Sequence, residues 1–281
     1  MNQSMISASV TMGQLQKKLD TISNNVANVN TTGFKRRDVQ FSDLLFQQLN
    51  NQIVDGQETG RNTPNGLRIG SGAKVAQTNV RMEQGAILQT DRPLDLALTE
   101  KGLFFEVLPT EDDDTRRFTR DGAFYLTPNP NNGDQLFLVT GDGDYVMSRT
   151  GEAITIPANY DTITISDSGV INVNLKGEIA NEMNVGQLQL VQVTKPQLLQ
   201  NIGDNFFTFH NLEELELGID DVLQFVPENG RSVMQGALEG SNVDLAKEMS
   251  ELILAQRSYQ FNTRSISMAD QMMGLVNNIR G

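Results

Sequence analysis

From residue 3 to residue 30, apolar side chains return at alternating intervals of three and four: Met5, Ala8, Met12, Leu15, Leu19, Ile22, Val26 and Val29. That spacing is a heptad seam and predicts a helix with one apolar edge. Asn28-Val29-Asn30-Thr31-Thr32-Gly33 supplies the residues that end a helix and turn the chain. At the far end, Leu245, Leu252, Tyr259, Ile266 and Met273 recur every seventh residue, widened by Met249, Ala255, Ala269 and Val276. They predict a second helix over 243–279, a rod of ~55 Å. Ser241 or Asn242 is its N-cap candidate, with Asp244 in the first turn. Its other core-type position is polar, held by Gln256, Thr263, Asp270 and Asn277. A lone helix is marginal in water, so each stripe needs a cover. The two ends are expected to meet as a coiled coil, or to meet copies of themselves.

Between these helices the period shortens. Phe41, Leu44, Leu45 and Leu49 suggest one short helix, and 50–72 is expected to be an extended arm or mobile loop. From Ala73 onward, short alternating and β-branched runs predominate. Strands are expected at 94–98, 103–108, 118–126, 135–139, 154–156, 162–165, 170–173 and 187–193. Phe206, Phe207 and Phe209 mark aromatic core strands, and 222–226 and 232–234 lead back to the C-terminal helix. The expected fold is a mostly β central domain with long terminal α-helices pairing as a coiled coil, α+β with discontinuous domains. Residues 1–33 and 240–281 form the helical domain, 34–85 a connecting arm, and 86–239 the β-rich outer domain.

Charge sharpens this division. The chain of 281 residues carries a net charge of -13, of which residues 61–235 hold -12. An acidic middle between near-neutral, apolar-striped ends suggests self-association through the ends. The balance argues against nucleic-acid binding. There is no cysteine, and no apolar run long enough to insert in a membrane. Met1 to Val10 lacks the pattern of a cleaved secretory signal, so any export is expected to use another route.

Candidate chemistry is sparse. Asp142-Gly143-Asp144 resembles the start of a calcium loop, but Val146 occupies the next oxygen position, so a hairpin turn is expected. Asp142 and Asp144 are the carboxylate pair that a carbohydrate-active β-domain enzyme would need. Glu111 to Asp114 reads as a solvated acidic loop. Gly70-Ser71-Gly72 lacks the lysine of a phosphate loop. His210 has no histidine or cysteine co-ligand. No cofactor, metal site or catalytic motif is expected.

Several stretches carry a resemblance. Ile22-Ser23-Asn24-Asn25-Val26-Ala27-Asn28-Val29-Asn30-Thr31-Thr32-Gly33-Phe34-Lys35 is similar to the N-terminal signature of bacterial flagellar rod and hook proteins. Leu238-Glu239-Gly240-Ser241-Asn242-Val243-Asp244-Leu245, with Ala255-Gln256-Arg257-Ser258-Tyr259-Gln260, resembles their C-terminal signature. Gln84-Gly85, Pro93 to Leu98 and Thr119-Arg120-Asp121-Gly122-Ala123-Phe124 match internal stretches in the same order. Within the family, the length and Pro64 to Gly72 look most like the distal rod protein. Glu100, Leu103 and the acidic insertion 111–114 depart from the pattern.

The resemblance implies a non-enzymatic structural subunit of the basal-body rod, self-assembling helically into the drive shaft between motor and hook. Its implied partners are its own copies, neighbouring rod and hook proteins, and the flagellar type III export apparatus, which passes it across the cytoplasmic membrane without signal cleavage. The expected assembly interface is Met5, Met12, Leu15, Leu19, Ile22 and Val26 with Leu245, Met249, Leu252, Gln256, Tyr259, Asn262, Ile266 and Met273. Gln256 and Asn262 are read as register-setting contacts, and Arg257, Arg264 and Arg280 as inter-helix or inter-subunit partners of Glu248, Glu251 and Asp270. Asn28, Asn30, Thr31, Gly33 and Phe34 form the bend into the outer domain. The alternatives are a hook or proximal-rod paralogue, a transient capping or scaffold protein, and the enzyme noted above.

Overall fold

The structure is a computed structural model that describes residues 2–43, 46–49, 67–70, 73–110, 115–130, 132–177, 182–203, 205–209, 218–227 and 230–280. The chain divides into two compact units: residues 1–26, 37–79 and 245–281 form the first, and 27–36 with 80–244 the second. It is mostly β, with one helix at each end.

In the first unit, α1 (Asn2–Ala27) and α2 (Leu245–Arg280) pack against each other. Between them in sequence come β1 (Arg37–Asp43), β2 (Phe46–Leu49), β3 (Leu67–Gly70) and β4 (Ala73–Val80). β1 pairs with β4, and β2 with β3. The short helix expected around Phe41 to Leu49 is therefore a pair of strands. Val39 and Phe41 alternate with polar residues at the strand period, and each strand has a partner to take its backbone hydrogen bonds. Of the expected arm, 67–70 is strand, and the rest of 50–72 lies outside the described residues.

The second unit begins with β5 (Ile87–Gln89), β6 (Leu96–Leu98), β7 (Leu103–Leu108), β8 (Arg117–Thr119) and β9 (Tyr125–Asn129). It continues through β10 (Asn132–Val139), β11 (Tyr145–Val146), β12 (Thr155–Pro157), β13 (Tyr160–Ile165) and β14 (Val170–Leu175). β15 (Glu182–Gln187), β16 (Leu190–Val193), β17 (Leu199–Gly203), β18 (Phe206–Phe209), β19 (Leu223–Phe225), β20 (Val233–Gln235) and β21 (Ala237–Glu239) complete it. A ten-stranded sheet runs β12-β10-β11-β7-β8-β18-β17, with β9 on β10 and β16 on both β7 and β19. β13, β14 and β15 form an antiparallel meander, while β6 pairs with β20 and β5 with β21.

β7 explains why this unit has two cores. Strand residues face alternate sides. Leu103, Phe105 and Val107 join the larger cluster, with Leu96, Phe124 and Ile171. Phe104 faces the smaller one, with Phe118, Val191 and Phe207. Edge-to-face ring pairs lie in both, Phe105–Phe124 at 5.1 Å and Phe104–Phe207 at 5.5 Å. The single strand expected over 118–126 breaks at Arg120 to Phe124. There Gly122 lies so close to the Leu96 carbonyl that any side chain would collide with it. The Asp142-Gly143-Asp144 turn closes the hairpin between β10 and β11, with Gly143 at φ +95°. His210 and residues 111–114 lie outside the described residues.

Candidate functional site

The sequence directs attention to the facing helices. On α1, the seam is as spaced: Ala8 and Ile22 are buried, and Met5, Met12, Leu15, Leu19 and Val26 are half-buried. On α2, the middle of the expected stripe is the covered edge, and its ends are exposed. Leu252, Tyr259 and Ile266 are half-buried, with Ala255 and Ala269 of the expected stripe and, beside them, Glu248 and Asn262 on the same edge. Gln256, Thr263 and Asp270 are exposed, as are Leu245, Met249 and Met273. A line of Leu252, Tyr259 and Ile266 can be completed at heptad spacing on either flank. The flank carrying Ala255 and Ala269 is the narrower, and it is the one that faces inward. Asn262 lies on that edge and donates to the Ser258 carbonyl; Gln256 does not share it.

The helices run antiparallel. Lys18 pairs with Glu251 at 3.3 Å, Thr263 Oγ1 approaches Met12 Sδ at 4.0 Å, and Asn25 meets Glu248. At this offset α2 extends past the start of α1 by about two to three turns. Asn25 is the polar pin of the arrangement. Its Nδ2 donates to Glu248 Oε2 at 3.1 Å and to the Arg37 carbonyl at 2.9 Å, while its Oδ1 accepts from Arg37 N at 3.0 Å. Both side chains are buried, so α1, α2 and β1 are joined by bonds that water does not reach.

A second site, in the β-rich unit, was not anticipated as one. Lys35, Arg120 and Glu239 have no exposed side-chain surface. Glu239 Oε1 accepts from Lys35 Nζ at 2.7 Å and from Gly85 N at 2.8 Å, and its Oε2 lies 3.2 Å from Arg120 Nε. Lys35 also donates to the Glu83 carbonyl, and Arg120 to that of Glu100. Burial, with Arg120 adding repulsion, pulls the Lys35 ammonium down from 10.5 to about 8, against the opposing pull of Glu239. Burial likewise lowers Arg120.

The expected bend residues dock onto this junction. Gly33 has φ +68° and donates to the Glu239 carbonyl at 2.8 Å; a β-carbon there would meet Asp121 N at 2.5 Å. Thr32 bonds Asp121 and accepts from Asn205, and burial raises the Asp121 carboxyl. Thr31 closes the turn on Asn28, Phe34 is buried, and Asn30 is exposed. Asn242, an expected cap candidate, instead accepts from Arg36 N at 2.7 Å and donates to the carbonyls of Arg81 and Glu83. Ser241 accepts from Val243 N. α2 starts only at Leu245, with Asp244 just before it and Glu248 as the acid of its first turn. Thus Gly33-Phe34-Lys35, Gln84-Gly85, Arg120-Asp121-Gly122 and Glu239-Gly240-Ser241-Asn242, distant in sequence, converge in one place. The available signal was that three of these stretches carry a charge within two residues of a glycine.

Asp144 is buried and pairs with Arg117 at 3.2 Å, and its backbone N–H bonds Thr140 within the hairpin turn. No helix among the described residues is long and apolar enough to cross a membrane.

Comparison with known proteins places the chain in a family. Residues 5–35 match the family described as flagella basal body rod protein, 100–173 the flagellar hook protein FlgE/F/G D1 domain, and 234–279 the flagellar basal body rod FlgEFG protein C-terminal region. The chain is 40% identical to the flagellar hook-basal body complex protein FlhP of Bacillus subtilis, with 100% of both chains covered. It is 36% identical to the flagellar basal-body rod protein FlgG of Caulobacter vibrioides, covering 99% of each, and 35% identical to that of Borreliella burgdorferi, covering 94% of each. The chain belongs to the flagellar basal-body rod and hook protein family.

Proposed function

We propose that this chain is a structural subunit of the flagellar basal-body rod and acts by self-assembly through its terminal helices. One observation carries the reading. Across two helices of 26 and 36 residues, the buried positions among the described residues are only Ala8, Ile22, Asn25, Glu248 and Ala255. Large apolar side chains along α2 remain in water. Helices so thinly covered reach a stable core only against further copies. Residues 1–33 and 240–281 then supply the coiled-coil axial core, 34–85 the connecting arm, and 86–239 the outer domain. The subunit has no catalytic role; its work is to transmit torque. Export through the type III apparatus and contact with neighbouring rod and hook proteins belong to the same reading.

Full-length likeness to proteins named FlgG, with Pro64 to Gly72, supports a distal rod position. The 40% identity to FlhP supports a second reading, a paralogue elsewhere in the hook–basal body complex. Deleting residues 1–26 tests the mechanism: the β-rich unit is expected to unfold cooperatively as before, while sedimentable polymer disappears. Normal polymerisation of that truncation would refute assembly through the helices. Labelled subunits located along purified basal bodies separate the two positions.

A further inference from the structure

β7 changes partner at Glu106. Along one edge it pairs with β16 over Leu103 to Phe105 and with β11 over Val107 and Leu108. Where the two partners part, the sheet opens into a cleft of about 440 Å³. Glu106 follows Phe104 at the strand period, so it extends the row that builds the smaller core. Gln189 stands beside it, two residues before Val191. Arg116, Arg149 and the ring of Phe225, which is 46% exposed, wall the cleft. The Glu106 side chain is only 6% exposed, yet its one ionic partner is Arg116 Nη1, 3.1 Å from Oε1, and nothing else among the described residues reaches the carboxylate. Burial raises this carboxyl, against the pull of Arg116. The Gln189 side-chain amide has no hydrogen-bond partner among the described residues. Polar groups gathered in a cleft with bonding capacity to spare call for a ligand that fills it.

We propose that this cleft binds a neutral saccharide. Hydroxyls donate to the open Glu106 oxygen and bond both ends of the Gln189 amide, while Phe225 offers an apolar ring to the C–H face of a sugar. Charge selects a neutral ligand, since Glu106 opposes an anion and Arg116 and Arg149 oppose a cation. The backbone excludes an added peptide strand, because the groups bordering the fork are already paired. Glu106 N donates to the Gln189 carbonyl at 3.3 Å, Met147 N to that of Glu106 at 3.0 Å, and Gln189 N to that of Met147 at 3.0 Å. Arg149 N donates to the Gln187 carbonyl at 2.9 Å. Recognition therefore comes from side chains and not from strand addition. The site lies wholly within the β-rich unit, and neither it nor the assembly reading depends on the other.

The test is titration of the full-length protein with maltose, cellobiose and N,N′-diacetylchitobiose, followed by amide NMR. Saturable shifts are expected for at least one of them at the Gln189 side-chain amide and the Thr150 and Gly151 backbone, with a dissociation constant on the order of millimolar. Phe225→Ala and Gln189→Ala each remove a cleft wall without touching the buried ion pair. Both are expected to weaken binding about tenfold or more while the rest of the spectrum stays in place. Absence of a saturable shift with all three sugars would overturn the proposal. So would affinity undiminished in both variants, which would put the sugar elsewhere on the protein. Inorganic phosphate or free lysine moving the same signals at lower concentration than the sugars would also overturn it, in favour of a charged ligand.

Discussion

The two units solve burial in opposite ways. In the β-rich unit, β7 is buried on both sides from Leu103 to Val107, and even the charges at its junction are sealed. In the helical unit, two long helices share one narrow edge, and the rest of α2 faces outward with large apolar residues. The first has the burial of a finished domain, the second that of half an interface. A solvent-exposed apolar helix is tolerable in a subunit that spends its life in a polymer.

The strongest way to break this contrast is at the junction. Glu239→Ala leaves Lys35 and Arg120 buried without their counter-charge, and a loss of about 3–5 kcal/mol is expected in urea unfolding of the β-rich unit. Next in size is a pH effect. Folded Lys35 releases its proton near pH 8, while its ordinary value is 10.5. Between these values the unfolded chain binds more protons, so stability is expected to rise with pH by about 3 kcal/mol across the window. Below pH 8 both states hold the proton and this contribution is flat. Lys35→Met should abolish the rise; persistence of the slope would show that another group causes it.

Smaller effects probe the helical unit. Asn25→Ala strips Glu248 and Arg37 of buried partners, and about 1–3 kcal/mol of protection is expected to vanish from amide exchange in α1 and the first turns of α2. The unfolding midpoint of the β-rich unit should hold. Smallest of all is Lys18→Ala. Its pair with Glu251 is about one-third exposed, so less than about 1 kcal/mol is expected, and less again at high salt.

The α1 helix was legible because its three-and-four spacing admits one apolar edge. α2 was legible as a helix with Leu252, Ala255, Tyr259, Ile266 and Ala269 on one face, but not in which flank of that face is covered. Leu252, Tyr259 and Ile266 take either flank, and only a facing helix decides that Ala255 goes inward and Gln256 outward. The strand at 118–126 failed at Gly122, whose contact with Leu96 depends on a segment twenty-six residues earlier. The junction was legible only as separate motifs. That Lys35, Arg120 and Glu239 neutralise one another is a property of three-dimensional convergence, and no local pattern in the chain encodes it.

That convergence has a consequence for a chain that emerges from its N-terminus. Glu239 follows Lys35 by 204 residues. Until it arrives, two cations are destined for a dry interior with no anion to meet them, and closing the body around them is costly. A chain that lacks Glu239 leaves those two charges without their anion, which opposes closing the β-rich unit. Folding of the β-rich unit is therefore tied to a residue far along the chain and not to its N-terminal part alone.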